Sequence, residues 1–180
     1  YDHFPSIFVC NHGFIYGPVA AVIYLPTYFR PWIDRKMVDK DLTVREVYNG
    51  TFARIPFIPE KAGMWFSKYL SKPVLWALNS FDPIPVEKNN LRNVMSTFED
   101  SVKVLKEGDN ILIFPEKPKK VKKKRGSDRE HETNTVGRLY TGFASIGKMY
   151  FDQTGQVLRF YPIYANKDKR TFRIGKPVIY

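Results

Sequence analysis

Short apolar runs bounded by turn residues alternate along this chain with stretches of helical periodicity. That alternation predicts an α/β fold with a mostly parallel central sheet covered by helices. Two observations of composition agree with it. The 180 residues suffice for one domain with a sizeable core, so residues 1–180 are read as a single domain without internal repeats. Hydrophobic residues make up 43% and charged residues 26%, the balance of a globular chain rather than a disordered one.

The elements follow in order. Ser6–Cys10 reads as a first strand. Pro18 is tolerated in a first helical turn, and the apolar residues up to Tyr24 extend that helix until Pro26 ends it. Lys36–Val38 is a short strand candidate. Thr43–Tyr48 is a short helix closed by Asn49-Gly50. Lys61–Leu70 and Val74–Asn79 are expected to be helices separated by Pro73. Ile84–Val86 is a brief strand. Leu91, Val94, Phe98, Val102 and Leu105 recur every three or four residues, one stripe of an amphipathic helix capped by Asn89 or Asn90 and stopped at Gly108. Asn110–Phe114 is a buried strand and residues 117–135 a basic, then polar, loop. Leu139–Met149 is expected to be a helix, Val157–Ala165 a strand, and Thr171–Ile174 its hairpin partner. Trp32, Trp65 and Trp76 are expected mostly in the core. The alternative for Trp65-Phe66 and Tyr69-Leu70 is a helical face that meets lipid or an acyl tail.

Charge and cysteine usage narrow the partners. The net charge of +11 suggests an anionic partner. Seven of those charges fall between Lys117 and Arg125, six Lys and one Arg with no acid, so the excess belongs to a loop more than to the domain. That run is expected to meet an anionic membrane surface; the alternatives are a solvated loop and a polyanion-binding module. No aromatic interleaves it, and no specific nucleic acid is expected. With Cys10 alone, an internal disulfide is impossible, and in its apolar strand the thiol is read as a small hydrophobe. The longest apolar run, Phe14 to Leu25, is 12 residues against the roughly 20 a spanning helix needs. The opening residues lack the pattern of a signal peptide and enter a strand almost at once, as expected of a piece excised from a longer chain. No Cys/His spacing suggests a metal site.

Three polar groups follow the carboxyl ends of separate predicted strands: Asn11-His12, Glu87-Lys88 and Pro115-Glu116. In open α/β sheets that edge binds ligands. A histidine, a lysine and a glutamate converging there supply a base, a phosphate clamp and an orienting carboxylate.

These groups carry a resemblance. Asn11-His12-Gly-Phe-Ile-Tyr-Gly17-Pro18 resembles the first block of glycerophospholipid acyltransferases, in which Asn-His is followed by four residues and Asp-Pro. Asp82-Pro-Ile84-Pro-Val86-Glu87-Lys88 is similar to the second block, Gly-x-Ile-x-Val-x-Arg. Ile113-Phe114-Pro115-Glu116 resembles the opening of the third, Phe-Pro-Glu-Gly-Thr-Arg, and Tyr161-Pro162-Ile163 the Val-Pro-Val fourth block. The ending Ile174-Gly175-Lys176-Pro177 is similar as well.

The resemblance implies transfer of a fatty acyl group from acyl-CoA or acyl carrier protein, a co-substrate rather than a cofactor, to a glycerol-phosphate or lysophospholipid hydroxyl. It makes His12 the catalytic base and Asn11, Lys88, Glu116 and Lys117 substrate-binding residues. It also implies a membrane-associated enzyme of phospholipid biosynthesis, cytoplasmic and peripheral to or anchored at the cytoplasmic face. Imidazoles titrate close to neutral pH, which suits a base for a hydroxyl proton.

The chain departs from the pattern at four places. Gly17 stands where the motif has the carboxylate that orients the histidine, Lys88 where it has Arg, Asp82 where it has Gly, and Lys117-Pro118-Lys119 where it has Gly-Thr-Arg. Two readings follow: an enzyme in which a backbone carbonyl or another carboxylate holds His12 and an Asp restored at position 17 raises activity or leaves it intact, or a relative that binds lipid or acyl thioester without turnover.

Overall fold

The computed structural model describes residues 4–12, 16–50, 53, 57–87, 90–116 and 139–179. It is an α/β fold with a mixed, mostly parallel central sheet covered by helices, as the alternating pattern predicts. The chain divides into two compact units, residues 1–29 with 102–180, and residues 30–101.

The first unit is built on β1 (Ser6–Cys10), which pairs in parallel with β4 (Asn110–Ile113) on one edge and β5 (Arg159–Asn166) on the other. β6 (Thr171–Ile174) and β7 (Val178–Ile179) add to β5 antiparallel. Ile7, Cys10, Ile111, Leu112 and Ile113 are all buried, the continuous apolar character of parallel strands covered on both faces. Among the described residues two helices belong wholly to this unit: α1 (Tyr16–Tyr24), which buries Gly17, Ala20 and Ala21, and α6 (Ser145–Thr154), which buries Ile146, Gly147 and Tyr150. At the amino ends of the strands, Asn110 ties the unit together. Its Oδ1 accepts the Ser6 N–H at 3.0 Å, and its Nδ2 donates to Thr27 Oγ1 at 3.1 Å and to the Tyr28 carbonyl at 3.0 Å.

In the second unit, β2 (Phe29–Asp34, entered from the first unit at Phe29) pairs in parallel with β3 (Ile84–Val86), Trp32 lying opposite Ile84. Trp32 stacks on Phe98 with ring centroids 6.0 Å apart, and its Nε1 donates to Ser101 Oγ at 2.9 Å. Both partners lie on α5 (Leu91–Lys106), whose first turn is capped by Asn90, its Oδ1 accepting the Arg92 N–H at 3.1 Å. The helix passes back into the first unit after Ser101 and stops at Gly108, whose φ of +92° suits glycine. α2 (Arg35–Val38) and α3 (Lys40–Gly50) precede α4 (Glu60–Asn79), which packs on α3.

Five expectations are corrected. The strand placed at Lys36–Val38 is the helix α2, and the strand lies just before it in β2. Pro31 hid β2, because a residue without an N–H reads poorly as strand. Asp34 then stops the strand by accepting the Lys36 N–H at 3.1 Å, a cap that starts a helix. The two helices divided at Pro73 are one, α4, with Pro73 on its exposed side, where water can serve the carbonyl that loses its partner. The helix expected from Leu139 begins later: Leu139 bridges to Glu116, a 3₁₀ turn covers Gly142–Ala144, and α6 starts at Ser145. Trp65 and Trp76 are not core residues but are 55% and 76% exposed. The membrane-associated assignment is corrected too. No described helix is long and apolar enough to cross a membrane, and even the 20-residue α4 carries Lys61, Lys68 and Lys72.

Because Ile111 is 0% exposed and Leu91 84% exposed, Ile111→Ala is expected to cost roughly 2–5 kcal/mol. Leu91→Ala should stay within about 0.5 kcal/mol of the parent. Urea denaturation of both variants checks the difference, and equal losses would mean that the interior has been misplaced.

Candidate functional site

His12 and Glu116 are brought together by strand register. Val9 pairs with Ile113 in the parallel ladder of β1 and β4. His12 and Glu116 each lie three residues further on, so they leave the sheet side by side at its carboxyl edge. The Glu116 Oε2 accepts a hydrogen bond from the backbone N–H of His12 at 3.0 Å. The His12 side chain is exposed and meets the ring of Phe114 edge-on, centroids 5.4 Å apart. Among the described residues no hydrogen bond reaches the imidazole nitrogens.

Asn11 is tied to β5. Its Nδ2 donates to the Ala165 carbonyl at 3.0 Å, and its Oδ1 accepts the Ala165 N–H at 2.7 Å. A backbone amide can only donate and a carbonyl only accept, so the pairing itself sets which way the side-chain amide faces. The side chain extends the β1–β5 ladder one step beyond Cys10, where β1 stops pairing through its main chain. What Asn11 does in this structure is hold the end of β1 in place.

Position 17 is closed to any side chain. Gly17 lies in the first turn of α1, and its N–H donates to the His12 carbonyl at 3.2 Å. A Cβ there would stand 2.6 Å from the His12 carbonyl oxygen and closer still to that of Asn11. Both obstacles are main-chain atoms, which cannot swing aside as a long side chain would. The carboxylate that the motif leads one to expect at this position does not fit this backbone.

Lys88 and Lys117 lie outside the described residues, as does the basic run from Lys117 to Arg125. Glu87, the neighbour of Lys88 in the second unit, accepts from Arg35 Nη1 at 3.3 Å. Asp82 adopts φ +46°, a left-handed conformation that glycine takes most readily and Asp tolerates. Among the described residues no three His, Cys, Asp or Glu side chains are grouped so as to hold a metal ion.

Cys10 stands next to these groups without being reactive. Burial, and secondarily the negative charge of Glu116, push its thiol up to about 12, and its Sγ donates to the Asn11 carbonyl at 3.3 Å. The thiolate is the nucleophilic form, so a thiol held protonated is inert near neutral pH. Reading the residues in order could not reveal the contributions of Ala165, Phe114 and the Gly17 N–H. Two of them act through main-chain atoms, which carry no residue signature, and the third through a ring whose place depends on register.

Two expectations follow from this packing. Gly17→Asp should destabilise the protein by on the order of 1–3 kcal/mol and lower any activity rather than support it; thermal melting beside the parent checks this, and an unchanged melting point would show that the carbonyls can move. The unfolded thiol releases its proton near 9 while the folded one holds it to about 12, so unfolding is favoured as pH rises through that interval. Between about pH 8 and about pH 10.5 the parent should therefore lose more stability than Cys10→Ala, and equal losses in urea titrations would contradict the burial of the thiol. Compared with protein-family models, curated protein sequences and solved structures, the chain finds no match.

Proposed function

We propose that this chain transfers a fatty acyl group from a thioester donor, acyl-CoA or acyl carrier protein, to a hydroxyl of a glycerol-phosphate or lysophospholipid acceptor. The observation that carries this reading is the emergence of His12 beside Glu116 at the carboxyl edge of two neighbouring parallel strands, with the imidazole exposed. In the proposed reaction His12 takes the acceptor's hydroxyl proton, and the oxygen attacks the thioester carbonyl. The new O–C bond forms, the C–S bond breaks, and the proton passes to the departing thiolate. The protonated Cys10 argues against an acyl-enzyme at that sulfur. Lys117, which follows Glu116 in the chain, is proposed to contact the acceptor phosphate.

A second reading has an observation in its favour. Position 17 has no room for an orienting carboxylate, and loss of such a group in a comparable triad costs about 10⁴ in rate. On that reading the chain binds lipid or acyl thioester without turning it over.

The test is incubation with acyl-CoA and a panel of lysophospholipids and glycerol-phosphates, followed by mass spectrometry. The expected result is an acylated product from the parent and none from His12→Ala. Donor binding without product from the parent would favour the second reading, and product that survives His12→Ala would show that His12 is not the base.

A further inference from the structure

We infer that Glu116 is the positioning residue of this site and that it acts on His12 through the peptide rather than through the imidazole ring. Its consequence for catalysis rests on the acyl-transfer reading; the contact itself does not.

Both ends of the His12 backbone are held. On one side the N–H donates to Glu116 Oε2 at 3.0 Å; on the other the carbonyl accepts the Gly17 N–H at 3.2 Å. The preceding residue is fixed by its two bonds to Ala165. A carboxylate accepting from a backbone N–H is one of the stronger hydrogen bonds available, because the acceptor carries a full charge. Glu116 is itself anchored, for it bridges to Leu139 in antiparallel fashion while the Pro115 carbonyl accepts the Tyr140 N–H at 2.8 Å. The carboxylate therefore reaches His12 from a braced main chain. Its charge is also felt at the end of β1, where it is the second cause of the raised Cys10 thiol.

Two features set this role apart from a contact to the acceptor phosphate. An ionised carboxylate only accepts hydrogen bonds, and so does a fully ionised phosphate, so the two cannot pair directly without a donor or cation between them. The backbone conformation that Glu116 holds is also the one that excludes a side chain at position 17. In this site the peptide is held where the motif's carboxylate would have held the ring.

The pair Glu116→Gln and Glu116→Ala tests the inference. Gln keeps a neutral oxygen acceptor at the same reach, whereas Ala removes it. In the ¹⁵N–¹H spectrum of the labelled protein, the His12 amide proton is expected downfield and protected from exchange in the parent and in Glu116→Gln, and unprotected in Glu116→Ala. Protection that survives Glu116→Ala overturns the inference whether or not the protein is an enzyme. Where acyl transfer is observed, Glu116→Ala should lower kcat by about 10²-fold, the scale of a small misplacement of a reacting group, while KM for a phosphate-bearing acceptor changes little. Glu116→Gln should recover most of that kcat. A raised acceptor KM at unchanged kcat would make Glu116 a substrate contact instead, and a Gln variant as poor as Ala would overturn the peptide-acceptor role. Absence of acyl transfer in the parent rejects the proposed function and leaves the amide measurement to decide the role of Glu116.

Discussion

Parallel pairing on both edges of β1 is the constraint from which the first unit follows. With β4 on one side and β5 on the other, β1 has no free edge, and its side chains must enter apolar surroundings on both faces. Slipping the register by one residue would turn every side chain to the opposite face. The pairing of Val9 with Ile113 is therefore strongly specified, and with it the level at which His12 and Glu116 leave the sheet. Asn110 and Asn11 close the ladder at its two ends, each meeting backbone groups that the strands no longer pair. Unmet buried backbone groups are costly, which is why short amides stand at these places.

At the carboxyl edge the main chain is so closely packed that it excludes what a familiar motif would place there. The His12 and Asn11 carbonyls occupy the space that a side chain on Gly17 would need, and in the first turn of α1 that glycine donates back to His12. The hydrogen bonds at the His12 N–H and carbonyl locate its peptide and leave its ring free of them. The exposed imidazole, met edge-on by Phe114, fits that description.

The second unit shows how helix packing can invert an expectation based on hydrophobicity. α4 turns Gly63, Ser67 and Ser71 inward and leaves Trp65, Phe66, Tyr69 and Trp76 outside. Small residues on the buried stripe allow another backbone to approach closely. The serine hydroxyls stay satisfied by bonding back along the helix, Ser67 to the Gly63 carbonyl at 2.8 Å and Ser71 to that of Lys68 at 3.2 Å. Three of the outward aromatics meet one another instead: the Trp65 ring centroid lies 5.0 Å from that of Phe66 and 4.7 Å from that of Tyr69, with the Lys72 ammonium 5.1 Å from the Tyr69 centroid.

The sequence by itself determined the α/β class, the bounds of β1, β3 and β6, and the span of α5. Each of these is a local pattern: an apolar run between turn residues, or a stripe of period near 3.6 between Asn90 and Gly108. It also put His12 and Glu116 after separate strands, because that placement needs only the order of elements. Tertiary structure alone decided the rest. Whether the two residues meet depends on the parallel register of β1 with β4, and no residue spells out a register. Pro31 in β2 and Pro73 in α4 break local rules that the surrounding packing overrides. The space around Gly17 is set by carbonyl oxygens five and six residues earlier in the chain, and every residue carries a carbonyl, so nothing in the letters distinguishes a glycine that must be there from one that merely can be.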